Sequence, residues 1–169
     1  AKANGNISYA AGNRNPTNLS AGTDVILSGG GATKVVTGRH LTHNATGNVT
    51  EAHVGGNLSQ TNSGGLTTAR VKGNTSMTGS GSLNNLEGEG TLLVNGWQSA
   101  GGRVGGAITK TQYWNSSVTV VQVNGLRVNV EAPEVVDLQE VPEVTVPARP
   151  TIDVYALKEA ANYAFEYVG

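Results

Sequence analysis

The chain has 169 residues, with 11 Lys and Arg against 12 Asp and Glu for a net charge of -1. This balance argues against a protein that wraps nucleic acid or lies on an anionic membrane through a basic face. With no cysteine, disulfide scaffolds, thiolate zinc sites and Cys nucleophiles are excluded too. No apolar run approaches the roughly 18 residues of a membrane span.

The chain divides by composition into residues 1–20, 21–95, 96–130, 131–150 and 151–169. The first stretch reads as an N-terminal arm. Its start, Ala1-Lys2-Ala3-Asn4-Gly5, has no apolar signal-peptide core and reads as a mature start after removal of Met. Residues 21–95 carry a repeat. Gly22, Gly30, Gly38, Gly47, Gly56, Gly65, Gly73, Gly81 and Gly90 follow one another eight or nine residues apart. Several open a common phrase, as in Gly47-Asn48-Val49-Thr50, Gly56-Asn57-Leu58-Ser59 and Gly73-Asn74-Thr75-Ser76. The chain holds 24 Gly, 17 Asn, 18 Thr and 21 Val, which favour tight turns and short strands. Two units span about 17 residues, the length of one β-solenoid coil.

A single apolar residue per unit (Val49, Leu58, Leu66, Leu83, Leu92) makes a thin core. Either Thr, Ser and Asn ladders close a narrow solenoid, or several chains intertwine and share the core, as in a trimer. An antiparallel meander of short hairpins is the plainer alternative. The fold class expected is all-β in each case.

Residues 96–130 hold a glycine-rich loop with Trp97, then Tyr113 and Trp114. The alternating runs Ser117–Val123 and Leu126–Val130 meet at Asn124-Gly125, which predicts a β-hairpin. In residues 131–150, Glu131, Glu134, Asp137, Glu140 and Glu143 recur every third position among four prolines. That period suits an extended, polyproline-like acidic connector. Its valines and Leu138 make it too apolar for a free linker, so it is expected to lie against something such as sister chains. Thr151 then N-caps a short C-terminal amphipathic helix. Val154, Leu157, Ala161, Phe165 and Val168 form its apolar face, which either packs on the chain's own β-domain or serves as an oligomer or docking interface.

Little catalytic chemistry is visible. His40, His43 and His53 read as surface histidines, so no metal and no cofactor are expected. Gly29–Lys34 and Gly101–Gly106 lack the spacing and βαβ context of phosphate-binding loops, and read as turns. Glu87 and Glu89 are a poor glycosidase dyad, at a turn edge between glycines. Seven Asn-x-Ser/Thr sequons read as turn chemistry. Trp97 and Trp114 are core or interface residues, or faces for stacking on a glycan.

The Gly-Asn-x-Thr/Ser phrases from Gly47 to Ser76, the low-complexity β segment through Gly90 and the terminal helix together resemble bacteriophage virion appendages: tail fibres, tail spikes and tail-tip or head-fibre proteins. The resemblance implies a homotrimeric structural protein located in the virion, assembled in the host cytoplasm with other virion proteins. Its expected role is particle assembly or host adsorption, with a cell-surface glycan as a candidate ligand. It matches no catalytic or receptor motif. The phrase Gly56-Asn57-Leu58-Ser59 is also similar to hemagglutinin-type adhesins, so a carbohydrate-binding module on a bacterial surface is the alternative. A polysaccharide depolymerase is disfavoured by the shortage of paired acids.

Overall fold

A computed structural model of the chain describes residues 1–10, 18–95, 98–111 and 117–135. The chain divides into two units, Ala1–Val135 and Val136–Gly169, of which the second lies outside the described residues.

Each coil of the first unit is built from one long and one short strand. In chain order these are β1 (Lys2–Ala3), β2 (Ile7–Tyr9), β3 (Asn18–Ala21), β4 (Val25–Leu27), β5 (Ala32–Thr37), β6 (Leu41–His43), β7 (Val49–Val54) and β8 (Leu58–Gln60). They continue as β9 (Leu66–Val71), β10 (Thr75–Met77), β11 (Leu83–Gly88), β12 (Leu92–Val94), β13 (Ser99–Val104), β14 (Ile108–Lys110), β15 (Ser117–Val118) and β16 (Val121–Gln122). Odd-numbered strands from β1 to β15, with β16 beside β13, make the first sheet; even-numbered strands from β2 to β14 make the second. Every pairing is parallel, so the chain winds as a β-solenoid of about six turns.

The register repeats the sequence arithmetic. Leu41 pairs with Leu58, Leu58 with Thr75 and Thr75 with Leu92. On the other sheet Val49 pairs with Leu66 and Leu66 with Leu83. The offset is the same at each of these steps, two glycine units per coil. The antiparallel meander is thereby replaced by parallel coils.

Within a long strand the burial alternates and then slips. Val49 points inward, Thr50 and Glu51 both lie outward, and Ala52 and Val54 return to the core. Two successive outward positions break the period-two rule of a straight strand, so each long strand bends there. The bend adds inward positions that a count of one apolar residue per unit overlooks: Ala52, Val54, Ala69, Val71 and Leu86 are all fully buried. With Val49, Leu58, Leu66, Leu83 and Leu92 they close one continuous core inside a single chain.

Glycine is required where coils stack most closely. At Gly90 an added methyl would sit 2.5 Å from the Gly73 carbonyl oxygen, against backbone that cannot yield. Gly73 N–H donates to Gly56 O (2.8 Å) and Gly90 N–H to Gly73 O (3.1 Å), so this corner is a stack of glycines.

Two expectations are corrected. The coils extend beyond residues 21–95 at both ends, from Lys2 to Gln122, so β1, β2 and all but the last residue of β3 lie in the stretch read as an N-terminal arm. The hairpin at Asn124-Gly125 keeps its turn but loses its ladder. Gly125 has φ +81° and Leu126 N–H donates to Val123 O (3.1 Å). The incoming run, however, pairs in parallel with β13, and residues 126–135 form no strand. Val121 and Gln122 find an exposed parallel edge on β13, and hydrogen bonding to that edge wins over the local antiparallel partner.

Candidate functional site

After the turn, residues 126–135 run across the first sheet, from β11 back toward β1. We call this segment the strap. Three of its N–H groups donate to side chains that rise from alternate strands. Val128 N–H donates to Glu89 Oε2 (2.9 Å), just past β11; Glu131 N–H to His53 Nδ1 (3.0 Å) on β7; Glu134 N–H to Ser20 Oγ (2.8 Å) on β3. The spacing is geometric. Three extended residues advance about 10 Å, and two strand spacings are also about 10 Å. A period of three along the strap therefore matches a period of two coils along the solenoid.

Charges reinforce the same register. Glu131 Oε2 accepts from Lys34 Nζ (2.7 Å) on β5, and Glu134 pairs with Lys2 (2.5 Å) on β1. Arg70 Nη1 on β9 donates to Asn129 O (3.2 Å). The Lys34 ammonium holds the Glu131 carboxyl below its usual range, and Glu131 in turn raises the lysine. Glu89 is likewise lowered, first by the Val128 N–H and then by Lys72. These pairs are solvent-facing, so each contributes little alone. Only Val128 buries its side chain fully, at 1% exposure.

His53 sits beneath the strap at 6% exposure, although its position on β7 faces away from the core. Its Nε2 lies 2.6 Å from Glu51 Oε2. Since Nδ1 accepts the Glu131 N–H, the neutral ring must carry its proton on Nε2 and donate it to Glu51.

Glu51, His53 and Glu131 bring three ligand atoms within 4.8 Å of one another. The arrangement does not fit a metal. A cation on Nε2 would move the ring proton to Nδ1, against the Glu131 N–H, and Lys34 already neutralises Glu131. The other two histidines are also used inside the coil. His40 Nδ1 accepts the Asn57 N–H (3.0 Å), and His43 Nε2 donates to Gly47 O (2.8 Å) from a fully buried ring. Neither His43 nor His53 is the surface residue expected; both are buried.

The corner ladder is the second recurring device. Asn6 Oδ1 accepts from Asp24 N–H (3.2 Å), Asp24 Oδ1 from His40 N–H (3.0 Å), Asn57 Oδ1 from Asn74 N–H (2.8 Å) and Asn74 Oδ1 from Thr91 N–H (2.9 Å). With His40 capping Asn57, one side chain per coil satisfies the next coil's corner amide. Of the expected ladders, the asparagine one is present in this form.

The remaining candidates disperse. Glu87 is paired with Arg103 (2.7 Å) and Arg70 (3.2 Å), and Glu89 with Lys72 (3.1 Å), so cations occupy both members of the weak carboxylate pair. Gly29–Gly31 lead into strand β5 rather than a helix, and Gly101 and Gly102 lie within β13. Trp97, Trp114 and the proposed interface residues Val154, Leu157, Ala161, Phe165 and Val168 lie outside the described residues. Two surface depressions stand out among the described residues: about 180 Å³ beside Asn84, Ser99 and Thr119, and about 70 Å³ at the strap's end by Ser20 and Glu134. Both fall below the few hundred Å³ of an ordinary ligand pocket. No described helix is long and apolar enough to cross a membrane.

Sequence reasoning expected residues 131–150 to lie against something, but missed that residues 131–135 lie on the chain's own first sheet and in what register. The signal was present in the acidic period of three, once that period is compared with the height of two coils. No protein-family model, curated protein or solved structure matches the chain.

Proposed function

We propose that the chain is a non-enzymatic structural module of a phage appendage of the fibre or spike kind. In this reading the solenoid supplies rigid reach, and residues 131–169 connect it to neighbouring virion proteins. One observation carries the reading: the coils form an uninterrupted parallel stack whose charged side chains pair with one another instead of lining a cleft. The core closes within one chain, so a trimer is not needed to complete it. Trimerisation would instead come from the tail, through Val154, Leu157, Ala161, Phe165 and Val168. The test is fractionation of an induced culture with an antibody against the solenoid. Label on purified particles, with a solution mass for the isolated protein of three times the 17.3 kDa of one chain, supports the reading. Label confined to washed cell envelopes overturns it.

A second reading, a carbohydrate-binding adhesin module, is favoured by the outer face of the second sheet. The central residues of its seven strands are Ser8, Ile26, Thr42, Ser59, Ser76, Leu93 and Thr109, and none is charged. An uncharged face with hydroxyls at five of these seven positions, and Ile26 and Leu93 at the others, suits a neutral glycan, with Trp97 and Trp114 as stacking candidates. Absence of binding on a glycan array removes this reading and leaves the first untouched.

A further inference from the structure

The strap is held by few apolar contacts and by one titratable acceptor at its centre. We propose that residues 126–135 form a proton-sensitive latch: neutral His53 holds the strap by accepting the Glu131 N–H, and protonation of His53 at Nδ1 releases it from the sheet about the Asn124-Gly125 turn.

The argument rests on the hydrogen-bond inventory of imidazole. Neutral His53 has one donor and one acceptor, and both are committed, Nε2–H to Glu51 Oε2 (2.6 Å) and Nδ1 to Glu131 N–H (3.0 Å). Imidazolium has two donors and no acceptor. Proton uptake at Nδ1 therefore sets two N–H groups against each other at a buried position, and the strap amide is the partner free to move.

Every charged neighbour of the ring is identifiable. Glu51, on the same strand, keeps its bond to Nε2 in both states. Arg70 stands in register with His53 on β9. Glu131 reaches over from the strap, but its carboxylate is engaged by Lys34 on β5. The anchors beyond Glu131 are the weak ones. Glu134 N–H rests on the hydroxyl of Ser20, and the Lys2–Glu134 pair is more than half exposed on both sides. At the strap's far end Val135 is 84% exposed. The hinge is suitable: Gly125, at φ +81°, has no atom within 4 Å of where a side chain would be.

Hydrogen exchange of the full chain at about pH 7.5 and about pH 5.5 tests this, because histidines change charge across that interval while most carboxylates do not. After correction for intrinsic exchange, protection of the Glu131 amide should fall about tenfold at the lower pH, with the β7 and β9 amides unchanged. His53→Asn places a non-titrating acceptor near Nδ1 and should retain equal protection at both values. Protection that does not depend on pH in the native chain, or a His53→Asn chain that loses it in parallel, overturns the proposal. Nitrogen NMR of the native chain supplies a measurement independent of any variant. The Glu131 amide shift should follow the His53 ring titration with the same midpoint, and a shift that ignores that titration overturns the latch.

Discussion

Asn57 does at the corner what a strand partner does inside a sheet: its Oδ1 accepts the backbone N–H of Asn74, one coil on. Removing it takes the side-chain acceptor away from a corner amide. Asn57→Ala should therefore cost about 1 kcal/mol in urea unfolding, and Asn57→Asp, which keeps an acceptor, should cost less. Asp24 holds the same place one coil before His40 and adds a bidentate pair with Arg39, both contacts at 2.9 Å. That hydrogen-bonded guanidinium, with the His40 N–H, holds the Asp24 carboxyl at about 2. Its stabilisation is present above the ordinary value of 3.8 and is lost as pH falls toward 2. Asp24→Asn keeps the cap and loses only the pair, so it should cost less than about 1 kcal/mol at neutral pH.

His43 has the opposite exposure and a different pH window. Burial pushes its ring below the usual histidine range, despite the bond to Gly47 O. The folded ring thus stays neutral where the unfolded chain binds a proton. Stability is complete above about pH 6.5 and falls below it, by at most about 1.4 kcal/mol per pH unit, until the folded ring also protonates. Gln60 occupies the equivalent inward position on the next coil, so glutamine fits there. His43→Gln should flatten most of the stability loss between about pH 7.5 and about pH 5.5; an unchanged slope overturns the assignment of that loss to His43.

At the scale of elements, the coil was legible and the strap was not. Leu58, Leu66 and Leu83 recur at glycine-marked intervals, and the sum of two such units is the observed register. The bend between Thr50 and Glu51 left no such mark. It moves Ala52 and Val54 inward, and alanine and valine are too common here to signal a core position. The hairpin failed for a reason local pattern does not carry. Asn124-Gly125 specifies a turn, but the next coil edge of a growing parallel sheet competes for the same backbone groups and takes them. The strap depends on a distance between coils, a quantity absent from any window of sequence. His53 illustrates the cost: its role as acceptor for Glu131, far along the chain, follows only once the coils are stacked.

For the whole molecule, coil number and strap length must agree. The six steps from Val128 to Glu134 span the four strand spacings from β11 to β3, about 20 Å by either count. Deleting residues 41–74 removes two whole coils and joins His40 to Thr75, which sits in the same register as Leu41. Neighbouring coils contact only each other, so the shortened solenoid should fold and keep its parallel-sheet circular dichroism. Its strap, however, becomes three residues too long for the two spacings left between Glu89 and Ser20. In this chain the Val128 and Glu134 amides should not both be protected from exchange. A further deletion of Asn129, Val130 and Glu131 brings Glu134 back to three residues after Val128, and protection of both amides should return. Full protection in the chain lacking only the coils would show that the strap is not registered to them. Restoration by the matched deletion alone would show that this surface measures coils in pairs.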